Sequence, residues 1–496
     1  MNIVITKTDF IDYLSCKKNF WLKKYKPEIF ENNSLSDYEL KIIEEGNIVD
    51  TEIIKIFPEA QIISSFGDKS VEETNDLLNK KATILQSSFK HENFYIKADV
   101  IKYKPEKNEW DLYEVKSTTK VDKSKQGSHI DDITFQKLII EKTGIKIGNC
   151  FIVHLNGDYL KNGNLDYSEL FVKENVDNLV IENTLDTENR ILEIKKYITS
   201  PEQKGCDCIY KSKSNHCESF FYSNPEIPSY SVYNLNRFSS NTKIFKQFID
   251  ENIITLDDIP SEEGLNGNKL FQYKSYKNKS PLIDRKGIKE KLNNLNFPLQ
   301  ILDFETYSSA IPKFDGFKVH EAVPIQYSLF RLDKNENIEH FEYIQEYHSE
   351  KITSGIMDSL RNNLLDEGTI MCWNKSFEIG RLKKLGELHP ENKFYIDSVI
   401  EKVFDLMEIF SKNLYVDYKF MGSSSLKKVL PVLIEGEGYE NLDVQDGAQA
   451  ITEWEKVIFG NVSDNEKKST IDSLLEYCKY DTYSLIEIYK FLVNLS

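Results

Sequence analysis

Long apolar runs are missing from this chain. None approaches the ~20 residues that cross a bilayer as a helix, which argues against a membrane-spanning segment. The opening residues, Met-Asn-Ile-Val-Ile-Thr-Lys-Thr-Asp9, lack the apolar core of a signal peptide, so a cytosolic (cytoplasmic) protein is expected. Cysteine is too sparse, and odd in number, for a disulfide framework: seven occur in 496 residues, at Cys16, Cys150, Cys206, Cys208, Cys217, Cys372 and Cys478. Basic side chains are in deficit, 63 Lys and Arg against 80 Asp and Glu, giving a net charge of −17 and a pI near 5.2. That deficit does not exclude nucleic acid as a partner, because charges are screened over about 8 Å at physiological salt and local basic patches act independently. Acid clusters that hold metal ions also add to a negative total.

What is present is ample for globular packing: 40% hydrophobic and 12% aromatic residues. A chain of 496 residues exceeds one core and implies about two to four domains. Its most informative stretch is Ile301-Leu-Asp-Phe-Glu-Thr-Tyr307, after Phe297-Pro-Leu-Gln300. Phe297, Leu299, Ile301, Leu302 and Phe304 mark a buried strand with two acids set into it. Alternate strand positions share a face, so Asp303 and Glu305 project together. Two like charges side by side in a core are costly unless a cation lies between them. For hard oxygen ligands that cation is a divalent metal. The alternative is an exposed edge strand whose acids meet water.

Residues 7–25 read as one amphipathic helix, capped by Thr8 or Asp9, with Phe10, Tyr13, Leu14, Phe20 and Trp21 on its apolar side and Cys16 within it. A second helical pattern covers 38–57 and stops at Phe57-Pro58. Residues 95–103 and 109–117 alternate as two strands joined by the turn Lys104-Pro-Glu-Lys-Asn108. Across this hairpin Asp99 can be brought against Glu114 and Lys116, which share a face. A helix with Phe135, Leu138 and Ile139 carries Gln136, and 150–155 form a further strand. Two acids on adjacent strands can hold a divalent metal, and a lysine beside them can orient or deprotonate the attacking water or neutralise charge on a phosphate. The competing reading is a surface Glu–Lys pair, common and nearly worthless. Further on, Cys206-Asp-Cys208 and His216-Cys217 have the density of metal ligands.

Residues 218–296 are rich in Ser, Asn, Tyr and Lys and read as a connecting region with a short helix within 241–260. The stretch 269–279 interleaves bases with aromatics, as a single-strand track does. A solvated linker has the same composition and is the preferred reading. Beyond it, 324–330 and 338–343 read as two more strands of an antiparallel meander, 354–365 as a helix and 369–374 as a strand. Asn374-Lys-Ser-Phe-Glu378 opens a helix through Leu385, so Glu378 follows a strand, where loops build sites. Val403-Phe-Asp405-Leu406 starts another segment. The last helix, about 467–493, carries Leu474, Cys478, Leu485 and Tyr489 on one apolar stripe. Asp481 falls inside that stripe and Tyr477 lies one turn before it. A buried aspartate again calls for a cation.

In the N-terminal half these residues resemble the RecB-type branch of the PD-(D/E)xK nucleases, particularly the iron–sulfur exonucleases related to those of CRISPR adaptation. The likeness runs through Gly46-Asn-Ile-Val49, Phe57-Pro58, Asp99, Glu114-Val-Lys116-Ser117, Asp132 with Gln136, and His154-Leu-Asn-Gly-Asp-Tyr159. It implies a small α/β nuclease core over 1–222, with Asp99 and Glu114 holding one or two Mg²⁺ or Mn²⁺ ions and Lys116 and Gln136 as catalytic residues. It also implies a [4Fe–4S] cluster on Cys16 before the core and on Cys206, Cys208 and Cys217 after it. The chain departs from the branch in two ways. Its upstream helix lacks the histidine that many relatives use as a metal ligand, and Asp50 or Glu52 stands nearby. Cys206 and Cys208 are also closer together than usual. That leaves a tetrahedral zinc on Cys16, Cys217 and either another cysteine or His216 as an alternative, and buried thiols as a third reading.

Asp303, Glu305, Glu378 and Asp481, in that order, resemble the DEDD exonucleases of the DnaQ-like, RNase H-fold superfamily. Tyr477-Cys-Lys-Tyr-Asp481 matches the Tyr-x-x-x-Asp motif of the tyrosine subgroup; Glu378 departs from the usual Asp but keeps a carboxylate. A small bacterial family joins a RecB-like nuclease to such a C-terminal domain, long catalogued as of unknown function. Leu302-Asp-Phe-Glu-Thr306 and Ser425-Leu-Lys-Lys-Val-Leu-Pro431 look like its members. The resemblance covers nearly the whole chain and implies a multidomain α/β protein: the nuclease core, a helical connector or linker over 223–296, and an RNase H-like mixed sheet flanked by helices over 297–496. It implies 3′→5′ exonuclease action on nucleic acid, DNA or RNA and single-stranded by expectation. The four C-terminal carboxylates would hold two Mg²⁺ or Mn²⁺ ions while Tyr477 orients the water. The competing class is a nucleic-acid-binding adaptor whose N-terminal site, or both sites, are degenerate.

Overall fold

The computed structural model describes residues 3–31, 35–124 and 127–495. The protein is a multidomain α/β chain that divides into two compact units. One comprises the residues up to Glu226 with Ser309–Lys313 and Lys318–His320; the other comprises Ile227–Ser308, Phe314–Phe317 and the residues from Glu321 onward. Among the described residues no helix is long and apolar enough to cross a membrane.

In the first unit, β1 (Gln61–Ile62), β2 (Ile84–His91), β3 (Phe94–Lys104), β4 (Glu109–Lys116), β5 (Ile147–Leu155) and β6 (Phe171–Asn175) form one sheet in chain order. β2, β3 and β4 are an antiparallel meander, which includes the expected hairpin. β4 and β5 are parallel, so the chain must cross over between them, and the helix His129–Lys142 makes that crossing. Alternation sorts the side chains between two cores. Leu112 and Ile152 join Phe10, Phe20 and Phe135 on one side, while Tyr113, Val115 and Val153 join Val49 and Phe57 on the other. β4 is buried from Glu109 to Val115, as befits a central strand covered on both faces.

The single helix expected over 7–25 is two helices, Lys7–Ser15 and Lys17–Tyr25. They break at Cys16, whose backbone is extended (φ −156°, ψ 107°). Thr6, and not Thr8 or Asp9, caps the first helix, with Asp9 closing the capping box. The helical pattern over 38–57 is the α-helix Asp37–Glu52 followed by a 3₁₀ turn, Ile53–Ile56.

In the second unit, β8 (Leu299–Tyr307), β9 (Val323–Leu332), β10 (Ile338–Ile344), β11 (Thr369–Cys372) and β12 (Val403–Asp405) form a mixed sheet in the order β10-β9-β8-β11-β12. β8, β9 and β10 are antiparallel neighbours, whereas β11 runs parallel to β8 and to β12. A small ribbon pairs β7 (Leu282–Ile283) with β13 (Tyr415–Val416). On β8, Leu302 and Phe304 pack into the core with Met357 and Leu382, from the helices Ser354–Asn363 and Lys375–Leu388. Ile301 and Tyr307 pack on the opposite face with Trp454, Leu474 and Leu485, from the helices Gly447–Phe459 and Asp464–Leu495. By the same alternation Asp303 and Glu305 face the C-terminal helix. The stretch 269–279 is packed structure for the most part and not linker: the helix Gly267–Asn278 buries Gln272, Tyr273 and Ser275. Gln272 holds it in place, donating to the Asn234 carbonyl at 2.9 Å and accepting the Asn236 N–H at 2.9 Å.

Candidate metal centres

Asp303, Glu305 and Asp481 each bring a carboxylate oxygen within 4.8 Å of the others. Burial, and repulsion from Asp481, pushes Asp303 well above the ordinary carboxylate range. Burial with repulsion from Asp303 and Asp481 does the same to Glu305, and burial pushes Asp481 up to about 6. The Lys427 ammonium, on the helix Leu426–Leu433, offsets part of this at Glu305 and Asp481. Cys478 Sγ stands 3.7 Å from Asp303 Oδ2.

Glu378 lies outside that close group of three but faces it. It is 2% exposed, and its Oε2 has no hydrogen-bond partner. Burial and the charges of Asp303 and Glu305 push its carboxyl well above the usual range. The turn that delivers it is pinned by Asp405, the last residue of β12. Asp405 Oδ1 accepts the N–H groups of Asn374 (3.0 Å) and Met407 (3.1 Å), and Oδ2 accepts that of Lys375 (3.1 Å). Asn374 is in the left-handed region (φ 71°), which asparagine tolerates better than most side chains. A half-buried set of hard oxygen donors, joined by a buried and unpartnered one on Glu378, fits Mg²⁺ or Mn²⁺.

Tyr477 is buried beside these acids. Burial and the charge of Asp481 drive its hydroxyl far above the ordinary phenol range, so it remains a hydrogen-bond donor at neutral pH. Sequence reasoning missed a second tyrosine. Tyr439 donates its hydroxyl to Asp481 Oδ1, with its ring 6.2 Å from that of Tyr477. Lys427 Nζ lies 5.3 Å and 5.9 Å from the Tyr439 and Tyr477 ring centroids, within cation–π range. Lys427 sits inside the quoted Ser425 to Pro431 phrase and so carried a signal. Tyr439 lies in an irregular segment without periodicity and carried none.

In the first unit Asp99, Glu114, Lys116 and Gln136 are brought together, with Asp132 added. Lys116 Nζ bridges Glu114 Oε1 (2.6 Å) and Asp132 Oδ2 (2.7 Å). Gln136 Nε2 bridges Glu114 Oε2 (2.6 Å) and Asp132 Oδ1 (2.9 Å). Asp99 Oδ2 accepts the Val115 N–H at 2.8 Å. Burial raises Glu114, but Lys116 and Lys7 outweigh it and hold its carboxyl well below the ordinary range. Burial, then Glu114, pushes Asp99 well above that range. Of the two acids standing where relatives carry a histidine, Asp50 interacts with Glu114 and is pushed up to about 6 by desolvation and that charge. Glu52 instead takes the hydroxyl of Tyr167. Lys7, absent from the sequence reading, stands 2.8 Å from Glu114 Oε1.

Cys16, Cys206, Cys208 and Cys217 form the other close group, their sulfurs all within 4.8 Å of one another and unbridged by disulfides. Cys206 is extended (φ −150°, ψ 153°), and the 3₁₀ turn Asp207–Tyr210 then redirects the chain. This is how thiols a single residue apart reach one centre. His216 does not join them: its ring stacks on Phe220 and its Nε2 pairs with the Lys211 carbonyl at 3.1 Å. Asn224 Nδ2 donates to Cys206 Sγ at 3.4 Å. A soft set of four sulfurs fits zinc or an iron–sulfur cluster. The Cys206 to Cys217 separation is 3.9 Å. Sulfurs on one tetrahedral zinc stand about 3.8 Å apart, given Zn–S near 2.3 Å.

The sequence profile of a family described as a domain of unknown function (DUF2779) matches residues 300–425. The match spans Asp303, Glu305 and Glu378 and stops short of Lys427, Tyr439, Tyr477 and Asp481. The chain is also similar to the uncharacterized protein MG366 of Mycoplasma genitalium, 29% identical over 225 residues. That match covers 42% of this chain and 34% of the relative, so it spans about a third of that protein's length.

Proposed function

We propose that this chain is a metal-dependent nuclease that hydrolyses phosphodiester bonds of nucleic acid. In this reading the second unit degrades single strands from the 3′ end, and the first carries another nuclease site. The convergence of Asp303 and Glu305 from β8 with Asp481 from the C-terminal helix, with Glu378 facing them, carries the reading. Three acids kept so close, with a buried fourth facing them, are costly unless a cation compensates them. A mixed sheet flanked by helices is also the architecture that the DnaQ-like resemblance implies.

Asp303, Glu305, Asp481 and Glu378 would hold Mg²⁺ or Mn²⁺, which supplies Lewis-acid stabilisation of the phosphoryl oxygens. The rest falls to the side chains. Tyr477 keeps its proton and orients the attacking water through its hydroxyl. Tyr439 fixes the rotamer of Asp481, and Asp405 aims Glu378. Lys427 presents positive charge to an incoming phosphate. In the first unit Asp99 and Glu114 would hold the metal, and Lys116 keeps an ammonium beside them. The four thiols would brace the helix break at Cys16 against the 206–217 segment. A [4Fe–4S] cluster is what the family resemblance implies, and a single zinc on the same four sulfurs is the alternative.

A degradation panel tests this: 5′-labelled single- and double-stranded DNA and RNA with Mg²⁺, Mn²⁺ or EDTA. Progressive shortening from the 3′ end of a single-stranded substrate, abolished by EDTA, is expected. Substrates that are bound but left intact would overturn the reading in favour of the adaptor. One observation favours the adaptor for the first unit alone, namely that Lys7 and Lys116 already neutralise Glu114.

A further inference from the structure

Glu114 Oε1 accepts two ammonium groups, from Lys116 at 2.6 Å and from Lys7 at 2.8 Å. They arrive from different elements: Lys116 ends β4, and Lys7 begins the helix Lys7–Ser15. They are not held equally. Lys116 has a second short bond, 2.7 Å to Asp132 Oδ2, whereas Lys7 stands 3.9 Å from that oxygen. Gln136 satisfies the remaining oxygens of both acids. Glu114 and Asp132 are therefore fully bonded without Lys7. Two ammonium groups on one oxygen also stand side by side, a repulsion that an anion between them relieves. Of the Lys7 side chain 25% is open to solvent, against 1% for Glu114, so Lys7 can reach a ligand that the acid cannot.

The helix beneath Lys7 is fixed at both ends and along its face. Thr6 and Asp9 close the capping box, and Lys24 Nζ holds Asp9 at 2.6 Å. Phe10 stacks on Phe135 at 4.2 Å, within the helix that carries Asp132 and Gln136. Cys16, at the far end, belongs to the four-thiol group.

We propose that Lys7 is a further substrate-binding residue of the N-terminal site, its ammonium meeting the non-bridging oxygens of a nucleic-acid phosphate while Lys116 stays on Glu114 and Asp132. This rests on the nuclease reading of the same site. An arriving phosphate exchanges one bond to free Lys7 and would have to exchange two to free Lys116. Lys7 then faces the phosphate as a point charge, the manner in which lysine binds phosphate.

The test is salt-dependent binding of a 5′-labelled single-stranded DNA by full-length Asp303→Ala protein, with Ca²⁺ replacing Mg²⁺, alone and combined with Lys7→Met or Lys7→Arg. Loss of one phosphate contact lowers the slope of log affinity against log salt by about 0.7 for a single strand. Lys7→Met is expected to show that loss at an unchanged melting temperature, and Lys7→Arg to restore the slope. An unchanged slope with a lowered melting temperature would make Lys7 a structural counter-ion and overturn the proposal. Where Lys7→Met does not fold, Lys7→Gln gives the same readout. If neither the wild type nor the Asp303→Ala protein, with Lys7 intact, binds nucleic acid, the nuclease reading itself falls.

Discussion

The hydroxyl of Tyr439 is hydrogen-bonded to Asp481 Oδ1, joining an irregular segment to the C-terminal helix across 42 positions of chain. Burial pushes Asp481 up to about 6, and Tyr439 leads the groups that pull it back down. Tyr439→Phe keeps the ring and removes the donor. A hydrogen bond to a charged group contributes about 1.5–3 kcal/mol, which corresponds to about one pH unit or more at 1.36 kcal/mol per unit. The acid limb of the proposed C-terminal nuclease activity should move upward by about that much in a profile of kcat/KM against pH. An unmoved limb would separate Tyr439 from the site.

The raised acids also set the pH dependence of stability. Asp303, Glu305, Glu378 and Asp481 all have folded values above their unfolded ones. Each stabilises the fold below its unfolded value, and that contribution is lost as pH rises through the folded value. Metal-free protein should therefore unfold more easily at pH 7 than at pH 5, by roughly 1 kcal/mol from Asp481 alone. Mn²⁺ should flatten the dependence by favouring the ionised set. Chemical unfolding at both pH values, with and without Mn²⁺, measures this.

Asp405 holds three backbone N–H groups, two of them, on Asn374 and Lys375, where the chain turns into the helix bearing Glu378. Asp405→Ala should destabilise by about 1–3 kcal/mol for each buried donor left unpaired. It should also lower C-terminal nuclease activity, because Glu378 loses its mooring. Asp405→Asn retains one acceptor oxygen and should fall between the two in urea unfolding and in rate.

The four-thiol group should retain metal through anaerobic purification. Zinc without sulfide would identify a single-ion site. Iron with matching sulfide would instead identify a cluster, and metal-free protein would refute both. Cys16→Ser should reduce metal content and lower the melting temperature of the first unit, since Cys16 joins the helix break to the distant loop.

Much of this was legible because it is local. Alternation along 301–307 put Asp303 and Glu305 on one face, and the helical period of the last segment put Asp481 in a buried stripe. The hairpin over 95–117 followed from its turn residues and alternation. What escaped was set by distant partners. Apolar spacing continues unbroken through Cys16, yet the helix breaks there, with Cys16 Sγ capping the second helix and lying close to sulfurs about 190 residues later. The helix Gly267–Asn278 has a linker's composition, yet Gln272 bonds to the 234–236 backbone. Lys7 is one lysine among many until the fold brings it to Glu114, and Tyr439 has no periodic neighbours.

The most direct measurement is Mg²⁺-dependent degradation of a 5′-labelled single strand by wild type and Asp303→Ala, with melting temperatures taken in parallel. Asp303 lies in the close carboxylate group, and its loss removes a proposed ligand without removing a backbone group that pairs β8. Abolished shortening from the 3′ end at an unchanged fold is the expected result. Undiminished degradation by Asp303→Ala would contradict the assignment of this carboxylate set as a nuclease site.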